Sequence, residues 1–312
     1  MKRQTLLSLL TLLCVAAFSV TGCRNSTEPV QDESLTASID AADVISGALG
    51  SDNGGLNDQL TDITDLANGG FNFSASSPNE LTLMNNGTRH GVIRNRVYNA
   101  ATQTWTITIV RNFDNRQMSG NWSRQYRVRF SRAGVGQQFL RVGTSTADRV
   151  DFEIVSDSCS GNFKSPRVTH KLNRLEGSLR GVISFADTAN PTVTINSVQT
   201  YRRSAVDTLT IGNSVRTSNH SLTMTLNNVV VPLRPARRFQ SIYARATSGT
   251  ISGTYQADIT FTRGESYDER QVNREYSVDL SAERNGRFPI SVRGRRGEFR
   301  GNFEPISGWL IP

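Results

Sequence analysis

From residue 71 onward the chain alternates apolar and polar positions. Trp105, Ile107 and Ile109 share one parity, and Thr104, Thr106 and Thr108 take the other. Trp122, Tyr126, Val128 and Phe130 line up against Arg127 and Arg129, and Val150, Phe152 and Ile154 alternate with Asp151 and Glu153. Successive side chains of a strand point to opposite faces, so this period of two predicts strands with one buried face. The same reading predicts strands near 167–175, 179–185, 192–202, 207–212, 220–231, 238–247, 250–262, 271–283, 287–293 and 298–303. Arg284-Asn285-Gly286-Arg287 predicts a tight hairpin, because Asn-Gly tolerates the two positive φ values of a type I′ turn. Short connections without helical crossovers imply an all-β antiparallel meander. A sheet of about a dozen strands must curl, close or split, so the expected body is a barrel, a half-barrel or a sandwich, with the curved forms favoured.

Before residue 71 the period is different. Leu35, Ile39, Ala42, Ile45 and Leu49 recur at helical spacing up to Gly50, and Leu60, Ile63 and Leu66 do so up to Asn68-Gly69-Gly70. Two short amphipathic helices are expected there, and helices of this size need a body to pack on. The expected organisation is therefore helices over 35–70 and a β domain over 71–312, with 186–191 and 231–238 as candidate internal boundaries. A short theme recurs in the β part: Ser119-Gly120-Asn121-Trp122, Ser160-Gly161-Asn162-Phe163, Arg300-Gly301-Asn302-Phe303 and the related Ser252-Gly253-Thr254-Tyr255. Its glycines are expected to permit a bend or bulge, after which the aromatic re-enters the core. The spacing is too irregular for a solenoid or propeller.

Hydrophobic residues make up 37% of the chain and aromatic residues 8%, lean but sufficient for a packed core. The formal charge of +8 is unevenly spread. Residues 24–70 carry one basic and nine acidic residues, whereas 71–312 carry 32 basic and 18 acidic ones. That asymmetry suggests an acidic tail on a basic body. Lysine occurs only as Lys2, Lys164 and Lys171, so nearly all the positive charge is arginine.

The first residues have the layout of an export signal: Met1-Lys2-Arg3, an apolar and uncharged stretch over 5–20, then Val20-Thr21-Gly22-Cys23. The apolar stretch suits a signal-peptide core and is short for a bilayer span. This segment resembles the lipobox of bacterial lipoproteins, a likeness confined to residues 1–23. The resemblance implies cleavage between Gly22 and Cys23 and acylation of Cys23, with residues 1–22 removed and 23–34 serving as a flexible acidic tether. Several acyl chains hold such a protein firmly, because each buried methylene contributes about 0.8 kcal/mol. Arg24, rather than an aspartate, after the cysteine implies the outer membrane by the sorting rule of enteric bacteria. The expected location is the cell envelope, lipid-anchored, facing either the periplasm or the surface.

Little else carries a chemical signature. With Cys14 removed and Cys23 acylated, Cys159 has no disulfide partner and no local activating base. His170 shares parity with Val168 and Leu172, and His220 with Leu222 and Met224, so both are expected to face inward; with His90 they form no paired ligand motif. Catalysis would need two or more of these histidines and Cys159 to converge with a carboxylate. The sequence holds no nucleophile elbow, P-loop or dinucleotide fingerprint, "SDNGGLND" (51–58) fits no calcium-loop spacing, and "RGESYDER" (263–270) reads as a solvated hairpin tip. No catalytic residue, metal site or cofactor is expected.

Arginine pairs at alternate strand positions remain as candidate anion-binding residues: Arg127 and Arg129, and Arg293, Arg295, Arg296 and Arg300, since guanidinium groups grip phosphates and carboxylates bidentately. The expected function is a non-catalytic binding or structural module of the envelope. Its partners would be the membrane through Cys23 and an anionic polysaccharide, lipopolysaccharide or envelope protein, with intracellular nucleic acid disfavoured. The alternative is a carrier of lipid or another hydrophobic ligand, whose curved sheet encloses an apolar cavity under a helical lid.

Overall fold

In the computed structural model the described residues are 30–50, 54–67, 81–82, 91–114, 119–142, 145–164, 166, 168–184, 190–233, 246–305 and 307–311. The chain divides into the units Met1–Val30 and Gln31–Pro312, and the description below concerns the second. Cys23, Gly22, Arg24, His90 and most of the strand expected at 238–247 lie outside the described residues.

Both predicted helices form. Helix α1 spans Leu35–Leu49, with the Ser34 hydroxyl accepting the Ala37 N–H at its start and the Gly50 N–H donating to the Ser46 carbonyl at its end. Its buried side is Ala37, Ala41, Ala42, Ile45, Ala48 and Leu49, while Leu35 and Ile39 are exposed. The predicted apolar stripe is therefore correct only over its last two turns. Helix α2 spans Leu56–Ala67 and is buried on nearly every side: Asn57, Asp58, Gln59, Asp62 and Thr64 are buried along with Leu60 and Ile63. Its polar residues demand partners within the fold.

The strands are β1 (Val30–Gln31), β2 (Leu81–Thr82), β3 (Gly91–Asn99), β4 (Thr104–Asp114), β5 (Ser119–Arg132), β6 (Val135–Gln137), β7 (Arg141–Val142), β8 (Ser145–Thr146), β9 (Arg149–Ile154), β10 (Ser160–Lys164), β11 (Val168–Ser184), β12 (Thr192–Ile211), β13 (Ser214–Pro232), β14 (Ser248–Arg263), β15 (Ser266–Asp279), β16 (Phe288–Gly294), β17 (Gly297–Phe303) and β18 (Leu310–Ile311). All but β7 and β8 belong to one 16-stranded sheet, ordered β18-β17-β16-β15-β14-β13-β12-β11-β10-β5-β4-β3-β2, with β9 bridging β11 and β5. The pairings within it are antiparallel, among them β11–β12, β12–β13, β13–β14, β14–β15 and β4–β5. This is the expected all-β meander. Among the described residues β2 and β18 end the ladder without meeting, an open arrangement compatible with a half-barrel or a sandwich. β11 and β12, on either side of 186–191, pair with each other from Ser184–Thr192 to Val168–Leu209.

Two predicted strand pairs prove to be single long strands. Residues 168–184 and 192–211 each run through: in β11 register shifts flank the expected break, whereas β12 pairs continuously with β13 across 203–206 and shifts register earlier, between Ile195 and Tyr201. At these shifts one extra residue is absorbed as a bulge, so the inward parity is reset without a turn. In β11 it changes between Leu172 and Leu175, both buried. The Asn-Gly hairpin is as predicted, with Asn285 and Gly286 both at positive φ and Arg284 paired with Arg287.

The Gly-Asn-aromatic theme has a different role from the expected bend. Two copies pair with each other in β5 and β10, so that Gly161 lies opposite Trp122 and Gly120 opposite Phe163. A methyl group on Gly161 would stand 2.0 Å from the Trp122 ring. Gly161 thus makes room for the Trp122 ring across the ladder, and Trp122 and Phe163 are both buried. Cross-strand packing explains the motif better than local backbone geometry.

Candidate functional site

Helices α1 and α2 lie on the buried face of the sheet, and arginines of inward parity meet them there. Arg111 of β4 and Arg124 of β5 follow the parity of Trp105, Ile107, Ile109, Trp122 and Tyr126, which points them at α2. Arg111 forms ion pairs with Asp58 and, at 2.6 Å, with Asp62; Arg124 reaches Asp58 at 2.9 Å and donates to the Gly54 carbonyl. The Tyr126 hydroxyl donates to Asp62 at 3.0 Å, and the Gln59 amide donates to the Tyr201 hydroxyl at 3.0 Å. Burial pushes the Asp62 carboxyl above its ordinary range, against the pull of Arg111. On α1, Asp40 pairs with Arg216 of β13 at 2.8 Å, and Ser38 accepts from Arg274 of β15 at 2.8 Å.

A second cluster extends this network. Arg203 of β12 donates to His170 Nε2 at 2.9 Å, and the opposite ring nitrogen of His170 bonds the Asp207 carboxylate. A lone pair on Nε2 requires neutral imidazole with its proton on Nδ1, and burial does lower the His170 pKa. His220 Nδ1 stands 3.6 Å from the other Asp207 oxygen without a hydrogen bond, and burial pushes its pKa down to about 4. Burial alone would raise Asp207, but the hydrogen bond from His170 and the charge of Arg203 hold it below the ordinary carboxylate range.

Two of the three histidines thus converge with a carboxylate, the condition set for catalysis. They do so in the interior: the His170 and His220 side chains are 8% and 1% exposed, and Arg203 occupies the free nitrogen of His170. Cys159 is a free, half-buried thiol donating to the Val155 carbonyl at 3.4 Å, and burial raises its pKa away from the thiolate. No group of three His, Cys, Asp or Glu side chains able to hold a metal occurs among the described residues. The hydrogen bonds of the cluster join Arg203 and Asp207 of β12 to His170 of β11.

The opposite face of the same strands carries a groove of about 400 Å³. Register places Ser204, Ser221, Gln256 and Asn273 in one row across β12 to β15, and Asn219, Asp258 and Gln271 in the next. Gln31 closes the second row, its amide donating to the Gln271 side chain at 2.9 Å, and Gln271 in turn donates to Asp258 at 3.1 Å. His220, Ala257 and Val272, whose side chains point inward, form the floor. The lining is amide and hydroxyl with one carboxylate and no cation.

The candidate arginines do not line this groove; they fall in two groups. Arg127 and Arg129 are exposed on β5, where Arg127 pairs with Glu153 at 3.1 Å. Arg293, Arg295, Arg296 and Arg300 are exposed on β16, β17 and the turn between them, where Glu298 pairs with Arg300 at 2.9 Å and lies 3.7 Å from Arg293. Seven steps of the sheet order lie between β5 and β16, about 34 Å measured along the sheet at the usual strand spacing. The arginines with structural consequence are the inward ones, and strand parity was the signal that could have found them.

Fold and site together define an open antiparallel sheet with two helices latched to one face and a polar groove on the other. The chain matches no protein-family model, no curated protein and no solved structure.

Proposed function

We propose that this chain is a non-catalytic binding module of the cell envelope, lipid-anchored in the outer membrane through Cys23, and that its groove takes an uncharged polysaccharide. The observation that carries the reading is the lining of that groove. Sugar hydroxyls both donate and accept, and the side chains of Asn219, Ser221, Gln256, Gln271 and Asn273 offer both kinds of group within two adjacent rows. An anionic polymer would need converging guanidinium groups, and the exposed arginines form two groups, on β5 and on the β16–β17 hairpin, away from the groove and each partly matched by Glu153 or Glu298. A carrier would need an apolar interior, whereas the inner face holds α2 and its ion pairs.

The test is binding of the purified protein to a panel of neutral and acidic bacterial glycans, repeated at high salt. Binding of neutral glycans that ignores salt and is lost in Asn219→Ala and Gln256→Ala supports the proposal. Binding restricted to acidic glycans that weakens steeply with salt points to the arginines and overturns it.

A further inference from the structure

The asparagine of the Gly-Asn-aromatic theme takes no part in the packing of its neighbours. Glycine and aromatic have inward parity, so Asn121 and Asn162 point to the outer face, which is the face of the groove, and both are exposed. They stand directly opposite each other on β5 and β10, and Asn112 of β4 stands opposite Asn121. Three strands in succession thus carry an exposed asparagine at one level of the ladder. The Asn162 amide donates to the Asn121 side chain at 3.5 Å, and no other hydrogen bond engages these three amides among the described residues. Each amide offers a carbonyl oxygen and two N–H donors, so most of the row's hydrogen-bonding capacity is turned outward.

The row is continuous with the groove. Asn162 lies opposite Lys171 of β11, Lys171 opposite Val206 of β12, and Val206 opposite Asn219, which begins the second row of the groove. Where this level holds Lys171 and Val206 in place of amides, the next level supplies hydroxyls: Thr208 of β12 lies between Thr169 of β11 and Thr217 of β13. The charged groups along the level are Lys171 and Asp258, one of each sign, so the strip suits an uncharged ligand along its whole length. The groove covers the three steps from β12 to β15, about 14 Å. From Gln271 to Asn112 the level crosses seven steps, about 34 Å measured along the sheet. Groove and asparagine row both cross the strands instead of following them, so one extended chain can lie over both.

We infer that Asn112, Asn121 and Asn162 form a second binding stretch for the polysaccharide that occupies the groove, so that one long glycan lies across the strands and is held at both places. The inference rests on the groove reading above. Once the groove is filled, contact with the asparagine row is intramolecular. A glycan long enough to span both stretches therefore gains about a hundredfold in affinity over one that fills the groove alone.

Dextran, levan and alternan, three uncharged bacterial polysaccharides, test it, each titrated against the purified protein as short oligosaccharides and as long chains. A long chain presents more registers to the groove even without a second contact, so the deciding comparison is the triple variant Asn112→Ala, Asn121→Ala and Asn162→Ala. It should bind the short oligosaccharides as the native protein does, which also certifies its fold, while its affinity for long chains falls about a hundredfold. Asn121→Ala alone, at the middle of the row, should show the same loss in smaller measure. Asn219→Ala and Gln256→Ala should lose both lengths. A triple variant that keeps the native affinity for long chains overturns this inference and leaves the groove standing. Absence of binding for all three polysaccharides at either length overturns the groove reading and this inference with it.

Discussion

Arg124 and Arg127 stand three residues apart on one strand and have opposite fates. The Arg124 side chain is 3% exposed, pairs with Asp58 and caps the chain at Gly54; the Arg127 side chain is 52% exposed and faces Glu153 across the ladder. Residue type and strand are the same, and only parity differs. In the interior a guanidinium is tolerated because α2 brings carboxylates to it, and each partner left alone would be a buried uncompensated charge. At the surface water does most of that solvation already. Arg124→Ala should therefore destabilise the fold by about 3–5 kcal/mol, read as a fall in the urea midpoint. A loss as small as that of a surface mutation would mean that α2 is not held by this network.

The interior also predicts a response to acid. His220 is packed with His170, Arg203, Asp207 and the Tyr255 ring, and burial lowers its pKa from 6.5 to about 4. The unfolded chain then binds a proton that the folded chain refuses, so this contribution is fully present above pH 6.5 and is lost as pH falls toward 4. The loss should reach about 3 kcal/mol. His170 shifts in the same direction, whereas the raised Asp62 and Asp43 carboxyls work against it. The difference between the native chain and His220→Gln isolates the term: urea midpoints measured from pH 7 to 4 should fall less in the variant. Parallel curves would show that His220 keeps its proton in the folded state.

How much of this was legible depends on which physical signal each feature leaves in sequence. Parity gave the strands, the Asn-Gly turn and the inward His170 and His220, because a half-buried sheet writes its two faces directly as alternation. The continuity of β11 was hidden because a bulge resets the parity just as a turn would, and that of β12 because the buried Arg203 breaks the apolar pattern at an inward position. The groove was hidden for another reason: Ser204, Asn219, Gln256 and Gln271 are each ordinary outward residues, and only register assembles them. The exposed arginines attracted attention by their spacing, yet the informative ones were Arg111, Arg124, Arg203 and Arg274, charged residues at core parity. Asp58 and Asp62, one turn apart on a helix otherwise read as amphipathic, were their counterpart in the same sequence.

The outer half of the comparison can be sharpened with a smaller effect. Arg127 and Glu153 are cross-strand partners on β5 and β9, both about half exposed. An exposed pair of this kind contributes about 0.2–1 kcal/mol, because holding two long side chains together costs entropy and salt screens the attraction. A double-mutant cycle of Arg127→Ala and Glu153→Ala should give a coupling within that range that shrinks further at high salt. Arg129 faces Asp151, which is also engaged by Arg149 and Arg180, so the same surface has neighbouring charges able to compensate. A coupling as large as the Arg124 effect would mean that the two faces do not differ in dielectric as their burial implies, and that the exposed arginines bear structural weight after all.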